Sequence, residues 1–204
     1  SLVNQFLFKD RDGRTPLPEE FKKDLIPKNV LIGKDLDELE EDNIVDGLVW
    51  LDDFTGNHRD WMFWETLHKK LFHKVWRWAG KFRSHELQND EFNHPAYIAE
   101  NVKKLEGDLK YWLDNRAFKD ERETMARFHE QFLTIHPFTN GNGRTSRILT
   151  EYICKREKIV LPTWGKSLRT NSKKHRDTYI AAVKKARLQK DNADLIKFIW
   201  NQQV

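Results

Sequence analysis

Residues Ile135–Arg147, "IHPFTNGNGRTSR", join two segments with helical apolar spacing. The first helix is predicted to end at His136, because Pro137 disfavours helical backbone in the residue before it. The two glycines that follow allow positive φ angles or a close approach to the backbone. A second helix is predicted to start around Arg144. The stretch is therefore interpreted as a helix–loop–helix junction.

The side chains of this loop indicate an anion site with a base beside it. The first turn of a helix exposes unpaired N–H groups and carries a partial positive charge, so it attracts anions. Arg144 and Arg147 share one face of that turn, and their guanidinium groups suit phosphate. His136 carries a side chain that can move a proton near neutral pH. An ordinary turn between two helices is the plain alternative, but it does not require paired arginines.

Other phosphate and metal motifs fail on spacing. Gly143 is followed by arginine and has no glycine five residues before it, as a Walker loop requires, and Ser146 stands where a dinucleotide fingerprint needs glycine or alanine. His129 begins a stretch like a zinc-protease helix, but Leu133 occupies the position of the second histidine. The histidines outside the loop are interpreted as packing or surface residues.

Apolar spacing predicts helices over most of the rest of the chain. They are expected over residues 35–51 and 60–80, from Pro95 to Leu113, from Asp120 to Ile135, from about Arg144, and over 171–189 and 191–203. Residues 81–90 have poor helical spacing and are expected to be extended or to form a hairpin. The predicted fold class is all-α with one short β-hairpin, divided into an irregular N-terminal arm (residues 1–34), which includes one short helix, and a helical domain (35–204).

Composition narrows the setting. The chain has 204 residues, and no apolar run is long enough for a transmembrane helix. The first residues lack the apolar core of a signal peptide, and the single cysteine, Cys154, cannot form an internal disulfide, so a cytoplasmic location is expected. Cys154 itself is expected to pack in the core and not to act as a nucleophile. The net charge of +4 suits nucleotide or nucleic acid. A lysine-rich solvated surface explains it more simply, and we expect no direct nucleic-acid binding.

The segment from His136 to Arg147 resembles the signature of the Fic (filamentation induced by cAMP) family, HPFx(D/E/N)GNGRxxR, at every fixed position. "VWRWAGKFR" (75–83) resembles the segment before that family's active-site flap, and the order of elements from Asp35 to Trp200 agrees with a Fic domain. "TPLPEEF", "LIP" and "LDELEEDNI" near the start resemble the subgroup called mobile mystery protein B. The resemblance implies a Fic-type helical bundle with a β-hairpin flap.

The resemblance also implies an activity, which is the transfer of AMP from ATP to a Ser, Thr or Tyr hydroxyl of a target protein, with His136 as the general base. The implied nucleotide-binding residues are Asn140, Gly141, Asn142, Gly143, Arg144 and Arg147, with the amide of Asn142 directed to phosphate. The resemblance also implies Mg²⁺ as a cofactor, with Asn140 as the metal-binding residue. Many members bind the ion there through a carboxylate, and a neutral amide oxygen is a weaker ligand.

Two further features follow from the resemblance. The flap, Ser84–Asn93, would align a target peptide by strand addition, unless it is a plain surface loop. An inhibitory glutamate pairs with the second arginine in many members, and Glu40 or Glu41 is the nearest candidate here. A solvated acidic helix face is the alternative for these two residues.

Two other functions stay open on the same loop. One is the removal of AMP or the transfer of another phosphate-containing group. The other is a nucleotide-binding regulatory or toxin–antitoxin protein with little catalysis. A separate regulatory or antitoxin-like chain is the alternative to inhibition by Glu40 or Glu41. The intact His136 favours an enzyme over the second.

Overall fold

The computed structural model describes residues 23–28, 33–87, 89 and 91–200, and within these ranges the secondary structure is helical. In chain order the α-helices are α1 (Gly33–Asp53), α2 (Trp61–Phe72), α3 (Ile98–Asp114), α4 (Glu121–Ile135), α5 (Asn142–Arg156), α6 (Ser172–Gln189) and α7 (Ala193–Ile199). Two 3-10 turns, Pro95–Tyr97 and Lys166–Leu168, precede α3 and α6. The predicted all-α class is confirmed.

Helix α4 lies at the centre and packs against α3, α5, α6 and α7. Its apolar stripe makes this possible, because Met125, Phe128 and Phe132 are almost completely buried. The Asp120 side chain caps the first turn by accepting a hydrogen bond from the N–H of Arg122. Both ends of α4 therefore form where the sequence predicts them, and the C-terminal end delivers the candidate base.

Helix α2 is shorter than predicted, since it ends at Phe72 instead of continuing to Gly80. The following residues turn because their backbone bonds to distant parts of the chain. The N–H of Lys74 donates to the side chain of Asn43 at 2.9 Å, and Trp76 forms an isolated antiparallel bridge with Leu25. The N–H of Arg77 likewise donates to the distant carbonyl of Asp24 at 2.9 Å, so the helical hydrogen-bond pattern is not continued at Lys74 and Arg77.

Helix α1 packs against α2 and brings its acidic segment to the loop after α4. Ile44 and Leu51 anchor it in the core. The Asn43 amide group adds a polar link to the end of α2, because its Nδ2 donates to the carbonyl of Lys70 at 3.1 Å. This docking fixes the position of Glu40, one turn earlier.

The expected hairpin falls partly on Gln88 and Asp90, which lie outside the described residues. The other residues of Ser84–Asn93 contain no strand. Just before this segment begins, Phe82 forms an isolated antiparallel bridge with Phe138, which lies in the loop between α4 and α5.

Most of the predicted N-terminal arm, with its short helix, also lies outside the described residues, so the division at residue 34 stays a prediction. Within the described ranges, no helix combines the length and apolar character needed to cross a membrane. Cys154 is completely buried on α5, as expected for a core residue.

Candidate functional site

The loop between α4 and α5 depends on both of its glycines. Gly141 has φ 77°, and a Cβ there would lie 2.6 Å from the ring of Phe72. A Cβ on Gly143 would lie 3.1 Å from Nη1 of Arg147. The first glycine permits the left-handed turn that starts α5, and the second allows a guanidinium group to lie against the backbone.

Asn142 closes the loop from within. Its Oδ1 accepts from the N–H of Phe138 and its Nδ2 donates to the carbonyl of Phe138, both at 2.9 Å. The sequence-based interpretation directed this amide to phosphate, but both of its polar ends bond the backbone of the loop. The groups of this segment that can bind an anion are therefore the first N–H groups of α5 and the side chains of its two arginines.

His68 on α2 holds the other side of the loop. Its Nδ1 accepts from the N–H of Gly80 at 2.8 Å, so the proton is on Nε2, which donates to the carbonyl of Asn140 at 2.9 Å. The ring also stacks on Phe138 with centroids 3.7 Å apart. Burial lowers the pKa of His68 to about 3, which keeps it neutral. Of the two roles predicted for this histidine, packing or surface, the structure shows packing, and no sequence signal indicates its bond to the loop.

His136 is the left-handed C-terminal cap of α4, with φ 50° and ψ 60°. Its Nδ1 lies 3.2 Å from the carbonyl oxygen of Leu133, and since that oxygen only accepts, Nδ1 carries the proton. The lone pair is then on Nε2. Burial is the main cause that lowers the pKa of His136 to about 3, and the charges of Arg83 and Arg187 contribute. The imidazole is neutral at physiological pH, which is the protonation state of a base.

The flap segment contacts this imidazole directly. Phe92 stacks on His136 with ring centroids 3.7 Å apart and planes 13° from parallel. The neighbouring Glu91 accepts from Nη2 of Arg187 on α6 at 2.7 Å. The aromatic ring therefore covers the candidate base, and an ion pair secures the residue next to it.

Arg83 joins the flap segment to the end of α4 through backbone carbonyls. Its Nε donates to the carbonyl of His136 at 2.6 Å, and Nη2 donates to Ile135 at 3.2 Å. On the flap side, Nη1 donates to His85 at 3.0 Å and Nη2 to Asn93 at 2.5 Å. One guanidinium group thus connects both ends of the flap to the candidate base. Spacing gave no signal for this role, because an arginine after an apolar segment is common.

Arg144 forms a buried ion pair with Glu40 of α1. Its Nη1 lies 2.5 Å from Oε2 of Glu40, and the two side chains are 5% and 6% exposed. The guanidinium also lies over the ring of Phe72, 4.7 Å from the centroid. The sequence-based prediction named Arg147 as the partner of the acidic helix, whereas this pair is made with the first arginine. Glu41, the other candidate, is exposed.

Asn140 fits a magnesium ion poorly. Its Oδ1 accepts from the N–H of Gly141 at 2.8 Å and from Nη2 of Arg144 at 3.1 Å. A neutral oxygen that already accepts two hydrogen bonds, one of them from a cation, is a weak ligand for a hard divalent ion. Among the residues that the structure describes, no group of three or more acidic, His or Cys side chains is placed to hold a metal.

Arg147, the second arginine, is 6% exposed, and its guanidinium group contacts Tyr179 of α6. Its guanidinium carbon is 5.9 Å from the ring centroid of Tyr179, and it hydrogen-bonds the Tyr179 hydroxyl. The structure thus places His136, Arg144 and Arg147 on one short loop and helix start, each held by a different neighbouring element.

The fold and this loop define a helical domain with a histidine and two arginines at the junction of its central helices. Residues 63–154 match the model of the Fic/DOC family, which is the family that the loop motif resembles. In overall fold the chain is similar to the N-terminal Fic domain of a Bartonella effector protein from Bartonella sp. AR 15-3, with a TM-score of 0.66 and 19% identity over 90% of this chain and 93% of that one. It is also similar to the BepC protein of Bartonella tribocorum with bound AMPPNP, with a TM-score of 0.63 and 18% identity over 87% and 94% of the two chains.

Curated relatives match a shorter part of the chain. A probable protein adenylyltransferase of Sinorhizobium fredii is 33% identical over 103 residues, which is 46% of this chain and 53% of that protein. The protein adenylyltransferase fic-1 of Caenorhabditis elegans is 33% identical over 91 residues, 41% of this chain and 17% of that protein. The matched region thus spans about half or less of these relatives. The assignment to the mobile mystery protein B subgroup stays a prediction.

Proposed function

We propose that this protein transfers AMP from ATP to a hydroxyl group of a target protein. The observation that carries the proposal is the neutral imidazole of His136, with its lone pair on Nε2, at one end of a loop whose other end holds Arg144 and Arg147. The names of the curated relatives support the same reaction.

In the proposed reaction, the hydroxyl oxygen of the target attacks the α-phosphorus of ATP. The bond from that phosphorus to the oxygen bridging to the β-phosphate breaks, and pyrophosphate leaves. The hydroxyl proton passes to Nε2 of His136. The pKa of His136, low in the protein alone, rises as the negative charge of ATP arrives, because an opposite charge favours the protonated form. The nucleotide thus makes the imidazole a stronger proton acceptor.

The start of α5 would bind the phosphates. Its first N–H groups, from Asn142 and Gly143, would face the α- and β-phosphates, and the guanidinium groups would hold the β- and γ-phosphates through charge-assisted hydrogen bonds. For this, Arg144 must leave Glu40. The ion pair therefore makes nucleotide binding compete with an internal carboxylate.

The flap would bring the target hydroxyl to the imidazole. Phe92 covers His136, so a target side chain must displace this ring before it reaches Nε2. A peptide that adds alongside Ser84–Asn93 would do so while it docks, which would select Ser, Thr or Tyr presented on an extended segment.

A restrained nucleotide-binding regulator is the second candidate function, and two observations favour it. The buried pair of Glu40 and Arg144 occupies the proposed phosphate site, and Phe92 covers the base. A protein held in this state would bind nucleotide weakly and transfer little until a partner chain changes the contact.

Intact-mass spectrometry separates the two functions. The purified protein is incubated with ATP and a cell lysate, and with ATP alone, next to a His136→Ala variant. A mass increase of one AMP on any protein, absent with the variant, supports transfer. ATP binding by calorimetry without any modified protein supports the regulator.

A further inference from the structure

A chain of buried polar side chains lies behind Arg147 and reaches beyond the part of the molecule that matches the family. The Arg147 guanidinium hydrogen-bonds the hydroxyl of Tyr179, a residue of α6. The same hydroxyl lies 2.6 Å from Nε2 of His129, and Nδ1 of His129 lies 2.7 Å from Oγ of Ser146. Tyr179 stands outside residues 63–154, so the family match gives it no role.

The chemistry of the donors fixes the direction of these bonds. A guanidinium group only donates, so the Tyr179 hydroxyl accepts a hydrogen bond from Arg147 and donates one to Nε2 of His129. Nδ1 of His129 then carries a proton and donates to Ser146. Burial, followed by the charge of Arg147, lowers the pKa of His129 to about 3, which keeps the ring neutral and able to accept.

A neutral acceptor has a particular effect on a phosphate-binding arginine. The carboxylate of Glu40 neutralises the charge of Arg144. A phenol oxygen, in contrast, orients a guanidinium group and leaves its positive charge in place. Burial raises the pKa of Tyr179, so the hydroxyl stays protonated beside the cation. The contact with Tyr179 therefore orients the guanidinium group of Arg147 without weakening its attraction for an anion.

We propose that Tyr179, supported by His129, is a positioning residue that directs Arg147 to the γ-phosphate of ATP. The proposal rests on the proposed function, because it takes the loop as the nucleotide site. It implies that Tyr179 affects the binding of only those nucleotides that have a third phosphate. AMP and ADP lack the group that Arg147 would bind.

The test compares ATP and ADP affinity by calorimetry for the wild-type protein, Tyr179→Phe and the control Tyr152→Phe. The Tyr152 hydroxyl donates to the carbonyl of Phe54, in a separate contact of α5. Tyr179→Phe is expected to weaken ATP binding about tenfold, the usual effect of one hydrogen bond to a charged group, and to leave ADP binding unchanged. The control is expected to change neither.

A second pair of variants tests whether the Tyr179 hydroxyl needs a hydrogen-bond acceptor at position 129. His129→Gln keeps an acceptor near the Nε2 position and is expected to retain the preference for ATP over ADP, whereas His129→Leu is expected to lose it. These variants decide the matter if Tyr179→Phe does not fold, as judged by thermal unfolding.

Equal weakening of ATP and ADP by Tyr179→Phe, or no weakening, overturns the proposal, and so does a wild-type protein that binds the two nucleotides alike. Failure of the proposed function reads out differently. It would appear as absence of transfer to any protein, while the ATP and ADP affinities still report on Tyr179.

Discussion

Replacing Glu40 by glutamine removes one charge from the buried pair with Arg144 and keeps the size of the side chain. Taking away one partner of a buried ion pair costs about 3–5 kcal/mol, because the other charge is left uncompensated. Glutamine still offers an amide oxygen, so we expect a loss of about 3 kcal/mol in the free energy of unfolding without nucleotide. The variant is therefore predicted to melt at a lower temperature than the wild type.

The same change should tighten ATP binding. In the wild type, the phosphates must displace Glu40 from Arg144, and in the variant this cost is absent. At 1.4 kcal/mol per factor of ten, a pair worth about 3 kcal/mol sets an upper limit of roughly 100-fold in the dissociation constant. Self-labelling with ATP is expected to rise in parallel, because more of the enzyme holds the nucleotide in the proposed position.

Calorimetry with ATP, thermal unfolding with and without ATP, and the rate of self-labelling measure these effects. The matched control is Glu41→Gln, since Glu41 is the adjacent residue of α1 and its side chain is exposed. If Glu40→Gln binds ATP and labels itself no better than Glu41→Gln, the idea that this glutamate restrains the site is refuted.

Four further predictions address the rest of the site. His136→Ala should abolish transfer and change the ATP dissociation constant by no more than roughly twofold, because a base acts on the target hydroxyl; transfer at the wild-type rate would contradict this. Asn140→Asp should make ATP binding more dependent on Mg²⁺, since it adds a charged oxygen; identical Mg²⁺ titrations for both proteins would argue against it. Arg83→Lys should lower the transfer rate about tenfold with unchanged ATP affinity and speed hydrogen exchange in the flap, because an ammonium group does not reproduce a planar fork of donors; slow exchange in the variant would count against the link. The pKa values of His68, His129 and His136 are lowered to about 3, below the unfolded value of about 6.5, so the unfolded state takes up protons first and stability should fall between about pH 6.5 and 3, by at most about 1.4 kcal/mol per pH unit for each histidine; a melting temperature equal at pH 7 and pH 5 would be the opposite result.

The helices were predictable from the sequence because their signals are local. Asp120 and Pro137 mark the limits of α4, and the apolar stripe of α3 and α4 identifies the buried faces. The end of α2 was not predictable. Residues 73–80 turn because their backbone bonds to residues 24–26 and to Asn43, which are distant in the chain and carry no local signal.

The candidate site divides in the same way. The loop itself was found because its histidine, glycines and arginines are consecutive. Its supporting contacts were not, since Glu40 reaches Arg144 across 104 positions and His68 reaches the loop backbone across 72. The carbonyl groups that accept hydrogen bonds from Arg83 could not be predicted from the sequence, because every residue has such a group. Long-range partners of this kind decide which charges in the loop are restrained.

The identity of the transferred group decides between AMP transfer and other chemistry at this loop. The purified Glu40→Gln protein is incubated with ATP labelled in the α-phosphate and, in parallel, with ATP labelled in the γ-phosphate, and protein-bound label is measured after denaturation. Covalent label is expected from the α-phosphate only, with release of pyrophosphate, and no label is expected in a variant that also carries His136→Ala. Label from the γ-phosphate, or α-label that persists without His136, would contradict AMP transfer by this loop.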